Sequence, residues 1–352
     1  MRIVNVVGAR PQFVKAAAVT RALHSRPEVS EILVHTGQHY DREMSDVFFA
    51  ELGLPAPGRS LGVGSGSHAT QTAAIMVALE PVLDEEKPAL VVIYGDTNTT
   101  LATALVASKM QVPIAHVEAG MRSFNRDMPE EINRLLADHV AALHLCATRT
   151  AVRNLEAEGV TDGVHLVGDV MADVLYLSLP HRRRAALDEA GVTSNDYYLM
   201  TLHRAGNTDD PARLEAILRA AAKLDRPVVF PVHPRTAKAM DAAGIRGEGS
   251  LRPIAPAGYL DFLALTADAR AVLTDSGGVQ KEAYLLSVPC VTLRAETEWP
   301  ETVSAGWNVL ADADADAIIA GAERTPPTER PELFGDGHAA ERIAEICEGF
   351  AA

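Results

Sequence analysis

Short apolar runs alternate with segments of helical periodicity almost from one end of the chain to the other, and this alternation limits the fold most. Helical patterns such as residues 13–24, 100–110 and 278–286 lie between the runs. Runs that are apolar on both faces and separated by helices are typical of parallel strands covered on both sides. The sequence therefore predicts an α/β fold with doubly wound parallel sheets. The predicted strands cover residues 2–7, 31–36, 89–95, 112–117, 142–147, 164–168, 197–202, 227–232, 270–275 and 289–294.

The length of the chain predicts more than one domain. At 352 residues it exceeds the size at which a single hydrophobic core stops growing. A charged and polar stretch near residues 168–196 interrupts the alternation, so we place the boundary there. We expect an N-terminal domain over 1–170, a C-terminal domain over 171–335 and a C-terminal helix over 336–352. That helix is amphipathic and needs a partner surface, and packing back on the N-terminal domain is one arrangement that the sequence allows.

Composition and charge exclude several classes of protein. The net charge of −15 argues against non-specific nucleic-acid binding, which needs a basic face, but it permits an anionic small substrate. No apolar stretch reaches membrane-spanning length, and the N-terminal apolar run is too short for a signal peptide. The cysteines Cys146, Cys290 and Cys347 are odd in number and far apart, which favours buried thiols in a reducing cytosol. We expect a cytoplasmic protein with no metal and no nucleic-acid or membrane partner.

Polar residues occupy the ends of six predicted strands. Ligands of open parallel sheets bind at the carboxyl ends of the strands, and agreement at six ends is hard to attribute to chance. The sequence therefore predicts a ligand site at these ends. The residues are Gly8, Arg10 and Lys15 after the first strand, Asp96, Glu118, His203 with Arg204, His233, and Asp275 with Ser276, Gly277 and Gly278.

Each of these residues also has a structural interpretation. Asp96 and Asp275 could equally cap the helices that follow them. The segment "DSGG" is more specific, because a hydroxyl and two glycines at a helix start let backbone N–H groups approach a phosphate. His233 precedes a proline and reads as a packed histidine, so we assign it no chemistry. The first turn, "GARPQF", lacks the GxGxxG arrangement of a dinucleotide site, so no nicotinamide cofactor is predicted.

Taken together, these motifs closely resemble the non-hydrolysing UDP-N-acetylglucosamine 2-epimerases. The resemblance covers nearly the whole chain, and the motifs follow the family's order. It implies a GT-B-like fold of two Rossmann-like domains with a cleft between them, a UDP-sugar substrate, no cofactor and a homodimer. The segments that carry it are "GARPQFVKAAAV", "HTGQHYDREM", "YGDTNTTLA", "HVEAGMRSFNRDMPEEINR", "TLHRAGN", "FPVHPRT", "DSGGVQKEA" and "ETEWPETV".

The resemblance also assigns roles to individual residues. It makes Asp96, Glu118, Glu130 and His203 catalytic, with support from Arg10, Lys15 and Arg134. It also implies that Ser276, Gly277 and Gly278 bind the diphosphate, that Glu282 binds the ribose hydroxyls and that Phe262 lies beside the uracil. Glu131 is expected to be a solvated neighbour of Glu130 that faces away from the site.

The family's reaction explains why several carboxylates are needed. UDP is eliminated across C1–C2 to give a 2-acetamidoglucal and is then added back, with the proton returned to the opposite face. Two faces require two sets of proton carriers. The expected reaction is therefore epimerisation at C2, from UDP-N-acetylglucosamine to UDP-N-acetylmannosamine.

Other functions remain open at this point. One is a 2-epimerase of UDP-2,3-diacetamido-2,3-dideoxyglucuronate, whose carboxylate would need a cation from Arg122, Arg126 or Arg204. A GT-B glycosyltransferase is more remote, since it has no use for both Glu118 and Glu130. The altered segment "HTGQHYDREM" also predicts that turnover needs no allosteric activation by the substrate.

Overall fold

The structure is a computed structural model that describes residues 1–37 and 58–350, without the side chains of Arg10 and Pro11. It divides into two compact units, Met1–Tyr176 with Phe334–Ala352, and Leu177–Leu333. We refer to them as the first and the second unit.

The first unit is built on a parallel sheet of seven strands in the order β3-β2-β1-β4-β5-β6-β7. Its strands are β1 (Arg2–Val7), β2 (Ser30–His35), β3 (Arg59–Ser60), β4 (Leu90–Tyr94), β5 (Ile114–Val117), β6 (Leu143–Cys146) and β7 (Val164–Leu166). Its helices include α1 (Arg10–His24), α2 (His68–Glu86), α3 (Asn98–Lys109), α4 (Pro129–Val140), α5 (Arg149–Ala157) and α6 (Val170–Ser178), the last of which runs on into the second unit.

The second unit repeats this plan with six parallel strands in the order β10-β9-β8-β11-β12-β13. Its strands are β8 (Tyr198–Thr201), β9 (Val228–Pro231), β10 (Leu251–Ile254), β11 (Ala271–Thr274), β12 (Cys290–Thr292) and β13 (Asn308–Leu310). Its helices are α7 (Ala185–Glu189), α8 (Ala205–Thr208), α9 (Pro211–Ala222), α10 (Pro234–Ala243), α11 (Tyr259–Ala267), α12 (Gly277–Leu285), α13 (Pro300–Ser304) and α14 (Ala315–Glu323).

Each sheet is covered by apolar side chains on both faces. Along β1, Ile3 and Val7 belong to one buried cluster, whereas Val4 and Val6 belong to another. This assignment follows from the strand, in which successive side chains point to opposite faces. The two faces of the second sheet likewise have separate clusters. The predicted α/β fold with doubly wound parallel sheets is confirmed.

The strand orders place the candidate residues. In both sheets the direction of winding reverses beside the first strand, between β1 and β4 in the first unit and between β8 and β11 in the second. Ligands of doubly wound sheets bind at this switch point, outside the carboxyl ends of the strands. Gly8 and Asp96 follow the two strands of the first switch point, and His203 and Asp275 follow those of the second.

The last helix, α15 (Ala339–Phe350), packs on the first unit. Its buried residues Ile343 and Cys347 share a cluster with residues of α1. The carboxylate of Asp173, in α6, accepts the backbone N–H groups of Ala339 at 3.1 Å and Ala340 at 2.7 Å, which caps the helix. Helix α15 is therefore part of the first core.

Within residues 1–37 and 58–350, no helix is both long and apolar enough to cross a bilayer. The three cysteines are buried, free thiols. Burial raises the pKa of each of them to about 12.

Candidate active site

Asp96 lies at the switch point of the first sheet and is ion-paired with Arg134 of α4. It does not cap the helix that follows. That role belongs to Thr97, whose hydroxyl accepts the backbone N–H of Thr100. The capping interpretation of Asp96 is therefore wrong.

Lys15 and Glu118 form a second ion pair beside it, and their side chains are only 12% and 15% exposed. Burial by itself lowers the pKa of Lys15, but the charges of Glu118, Asp169 and Asp96 outweigh it, so the pKa is raised. Lys15 is therefore a permanent cation among three carboxylates. Asp169 precedes α6 and accepts the backbone N–H of Met171 at 2.8 Å. Sequence reasoning missed it because it follows the shortest of the predicted strands.

The backbone at this ion pair is unusual. Glu118 has a φ of +70°, a left-handed conformation that non-glycine residues rarely adopt. Gly95 has a φ of +58° and faces the pair. A Cβ at Gly95 would lie 3.4 Å from Oε2 of Glu118 and 3.8 Å from Nζ of Lys15. Glycine is therefore favoured by the turn, whereas a Cβ would only reach van der Waals contact with the two charged groups.

The two glutamates at the start of α4 have different environments, and our expectation for Glu131 is wrong. Glu131 is 2% exposed and accepts the backbone N–H groups of Ser123 at 2.8 Å and Phe124 at 2.9 Å. Burial raises the pKa of Glu131, but these hydrogen bonds and the charge of Arg134 lower it more. Glu131 thus holds the loop before α4 in place. Glu130 is exposed, and within the described part of the chain it has no hydrogen-bonded or ion-paired partner.

Arg122 is unavailable as a cation for a substrate carboxylate. Its guanidinium contacts Asp138 at 2.7 Å and both carboxylate oxygens of Glu158 at 2.7 and 2.6 Å, and its side chain is 1% exposed. Burial lowers the pKa of Arg122, but the two carboxylates raise it by more, so the pKa lies above its ordinary value. Arg126 is exposed, and Arg204 is half exposed. Only these two of the three arginines remain for a uronate.

In the second unit, Asp275 organises the switch point around His203. Asp275 is buried and accepts the backbone N–H groups of His203 at 3.0 Å and Arg204 at 2.8 Å, and its Oδ1 lies 3.3 Å from Nδ1 of His203. Burial raises the pKa of this carboxyl, but the imidazole and backbone hydrogen bonds lower it more. The Asp275 carboxylate is therefore ionised and orients the His203 ring. It does not cap a helix.

His233 lies beside this pair, although we assigned it no chemistry from the sequence. Its ring centroid is 5.7 Å from that of His203. The Nδ1 atom of His233 accepts the backbone N–H of Arg235 at 3.2 Å, which caps α10. Burial, together with the charges of His203 and Arg235, lowers the pKa of His233. Its position at a strand end pointed to the candidate site. We set that signal aside because a proline follows His233.

The turn Ser276–Gly277–Gly278 begins α12, where backbone N–H groups can bind an anion. Trp299 holds this turn, because its indole N–H donates to the carbonyl oxygen of Gly277 at 2.9 Å. The ammonium group of Lys281 lies 4.3 Å from the centre of the same indole. The turn is therefore fixed by side-chain contacts before any ligand arrives.

Glu282 and Phe262 lie on the two neighbouring helices α12 and α11. Burial raises the pKa of Glu282 to about 7, although the charge of Lys281 opposes the change. Burial and the charge of Glu282 also raise the pKa of Tyr259. Phe262 is half-buried against the core of this unit.

Some predicted features lie outside the description. Arg10 begins α1, but its side chain is not described, and most of the segment "HTGQHYDREM" falls in residues 38–57. Across residues 1–37 and 58–350, no three His, Cys, Asp or Glu side chains are grouped as a metal site would require.

Comparison with known families and proteins gives a consistent result. The family model described as UDP-N-acetylglucosamine 2-epimerase matches residues 21–348. A UDP-N-acetylglucosamine 2-epimerase homolog of Methanococcus maripaludis is 46% identical over 98% of this chain and 99% of its own. The UDP-2,3-diacetamido-2,3-dideoxy-D-glucuronate 2-epimerase of Pseudomonas aeruginosa is also 46% identical, again over 98% of this chain and 99% of its own.

Among solved structures, that of Methanocaldococcus jannaschii UDP-GlcNAc 2-epimerase in complex with UDP-GlcNAc and UDP is 39% identical to this chain. The match has a TM-score of 0.84 and covers 99% of this chain and 100% of the other. The GT-B-like class predicted from the sequence is confirmed by this likeness.

Proposed function

The chain belongs to the UDP-N-acetylglucosamine 2-epimerase family, and we propose that it is the isomerase that converts UDP-N-acetylglucosamine to UDP-N-acetylmannosamine. The observation that carries the proposal is the pairing of two carboxylates with cations at adjacent strand ends, Asp96 with Arg134 and Glu118 with Lys15. Carboxylates placed in this way at the ends of the strands can serve as general bases.

The first half of the reaction breaks two bonds of the sugar. A carboxylate removes the proton from C2, the C2–H electron pair forms the C1=C2 double bond, and the C1–O pair leaves with UDP. Re-addition of UDP reverses these steps after a proton is delivered to the opposite face of C2. We assign these proton transfers to Asp96, Glu118 and Glu130. The overall change is redox-neutral, so it needs no nicotinamide.

The second unit supplies the groups that act on UDP. The turn Ser276–Gly277–Gly278 binds the diphosphate through its backbone N–H groups and the dipole of α12. His203, held by Asp275, stabilises the charge that develops on the departing UDP. Glu282 binds the ribose hydroxyls, and Phe262 contacts the uracil. Arg10 is a further cation that we assign to the departing diphosphate.

A second substrate deserves a test, because the Pseudomonas relative named for UDP-2,3-diacetamido-2,3-dideoxy-D-glucuronate is as similar to the chain as the Methanococcus one. A uronate carboxylate requires a cation that is not already neutralised. Arg122 is neutralised by Asp138 and Glu158, so only Arg126 and Arg204 are left to supply that cation.

The purified protein should be incubated separately with the two UDP-sugars, and the products separated by chromatography. We expect UDP-N-acetylmannosamine to form from UDP-N-acetylglucosamine, with little turnover of the uronate. Turnover of the uronate alone would replace the proposed substrate. Turnover of neither sugar would contradict the proposed function.

We also propose that the enzyme is a cytoplasmic homodimer. Helix α4 buries polar residues, among them Glu131 and Asp138, while Ile132, Leu136 and Val140 are 38%, 45% and 36% exposed. An exposed apolar stripe on a helix is typical of a surface that meets another protein. The free thiols fit a reducing compartment.

A further inference from the structure

We infer that Gln12, His116 and Asn133 are positioning residues that fix the Asp96 carboxylate for catalysis, with His116 as the central member. This inference rests on the proposed function, because it explains how the assigned base is held. None of the three is a group that we expect to touch the substrate.

The inference starts from three consecutive backbone carbonyls at the end of β4. The side-chain amide of Gln12 donates to the carbonyl of Tyr94 at 2.8 Å. The Nε2 atom of His116 lies 2.7 Å from the carbonyl oxygen of Gly95. The amide of Asn133 donates to the carbonyl of Asp96 at 2.9 Å. Each carbonyl in the turn that carries Asp96 is thus held by a separate side chain.

The three donors come from three different elements, and each element carries a residue of the proposed chemistry. Gln12 is in α1 with Lys15, His116 is in β5 just before Glu118, and Asn133 is in α4 with Glu130 and Arg134. The donors are 2%, 0% and 5% exposed, so water does not compete for these bonds. The turn is therefore fixed relative to every catalytic group of the first unit at once.

His116 is itself held from behind. Its Nδ1 atom lies 2.7 Å from Oδ1 of Asp138, a buried residue of α4. The other oxygen of Asp138 accepts the backbone N–H of Gly120 at 3.1 Å and a guanidinium N–H of Arg122 at 2.7 Å. Gly120 and Arg122 belong to the loop that leaves Glu118. The His116–Asp138 pair consequently links the turn of one carboxylate to the loop of the other.

The chain offers a matched control in His144. It is the register partner of His116 on the adjacent strand β6, and it is also buried. Its Nε2 atom contacts the backbone carbonyl of Asp138 at 2.8 Å, but it does not reach the turn after β4. Replacement of either histidine by glutamine removes a buried imidazole that contacts α4, and only His116→Gln breaks a two-ended contact between Gly95 and Asp138.

The test compares His116→Gln with His144→Gln in the full-length enzyme. We expect His116→Gln to lower kcat about 10²-fold, since a misplacement of about 1 Å costs that much, and to leave KM and UDP affinity unchanged. His144→Gln should lose similar thermal stability and keep its kcat. Equal kcat values in the two variants would overturn the inference. If His116→Gln does not fold, Asn133→Ala tests the same loss of kcat at unchanged KM, and an unaltered kcat would overturn it.

Hydrogen exchange gives a readout that does not depend on turnover. In His116→Gln the backbone amides of residues 94–98 should exchange faster than in the wild type, and in His144→Gln they should not. Unchanged exchange in His116→Gln would contradict the inference. If the wild type turns over neither UDP-sugar, the proposed function fails, and the exchange comparison still decides whether these residues position the turn.

Discussion

Glu118, to which we assign a proton transfer, has a strained backbone. Its φ of +70° lies in the left-handed region, where a Cβ approaches the carbonyl oxygen at a cost of about 1–2 kcal/mol. Such strain is typical of functional sites, because only the function rewards it. A residue chosen for stability alone would be glycine.

Two substitutions separate the strain from the lost carboxylate. Glu118→Gly and Glu118→Ala both remove the partner of Lys15, so both should abolish most epimerisation. Only glycine relieves the backbone, so Glu118→Gly should be more stable than Glu118→Ala by about 1 kcal/mol. Urea denaturation of the two variants measures the difference. Equal stabilities would mean that the conformation is not strained.

Glu282 predicts a pH dependence of stability. Burial raises the pKa of this carboxyl from 4.5 to about 7, so the folded state binds its proton more tightly than the unfolded state does. The contribution to the free energy of unfolding is therefore complete below the unfolded pKa and is lost as the pH rises through the folded pKa. Without UDP, Glu282→Gln should remove part of the fall in stability between about pH 5 and about pH 8.

Denaturant titrations over that pH range test this expectation. Glu332→Gln, an exposed glutamate of the same unit, serves as the control and should keep the wild-type pH dependence. A wild-type slope in Glu282→Gln would show that this carboxyl is not the source.

Which of Glu130 and Glu131 is buried could not be predicted from the sequence. Adjacent helical residues point about 100° apart, so one of the pair must face the protein more than the other. The sequence resembles the family equally at both positions and does not say which face of α4 is buried. That face is polar here, because Glu131 and Asp138 make buried hydrogen bonds to the loop after β5. A rule that buries the apolar face of a helix predicts instead that this polar face of α4 is exposed.

At the scale of elements, each of the ten predicted strands coincides with a strand of the structure, and β3, β10 and β13 were not predicted. Most of the ten are apolar runs that sheets bury, whereas β7 is partly exposed. The three others are two to four residues long, and β3 and β10 contain mostly partly exposed or exposed residues. They lie at or next to the sheet edges, where hydrogen bonds to a neighbouring strand rather than apolar patterning define a strand. Pairing of this kind leaves little signal in a single sequence.

The exposed apolar stripe of α4 predicts where two copies of the chain associate. If a second copy of the chain covers Ile132 and Leu136, charged residues there should prevent association, because a buried unpaired charge is costly. Ile132→Lys with Leu136→Lys should convert a dimer to a monomer in light scattering. Leu310→Lys, which alters an exposed apolar residue of the second unit, should remain dimeric. A double variant that stays dimeric would place the interface elsewhere.

For the whole molecule, the alternation of apolar runs with helical segments was enough to predict two doubly wound sheets. The reason is that the same periodicity of apolar residues identifies each buried strand and each helix along the chain. The positions of the polar residues at strand ends were enough to select Lys15, Asp96, Glu118, His203 and Asp275 as candidates, and the structure pairs Lys15 with Glu118 and His203 with Asp275. The residues that hold them, such as His116 and Asp138, were not predicted, since a buried polar residue within an apolar run has no signature until its partner is known.

The central claim is that C2 loses its proton during turnover and receives one from groups that exchange with solvent. Turnover of UDP-N-acetylglucosamine in heavy water, followed by mass spectrometry and proton NMR of the product, tests it most directly. The account predicts deuterium at C2 of UDP-N-acetylmannosamine, and loss of most turnover in Glu118→Gln and in Glu130→Gln while UDP still binds. A product that retains protium at C2 would contradict elimination and re-addition and would require a route that conserves the C2 hydrogen.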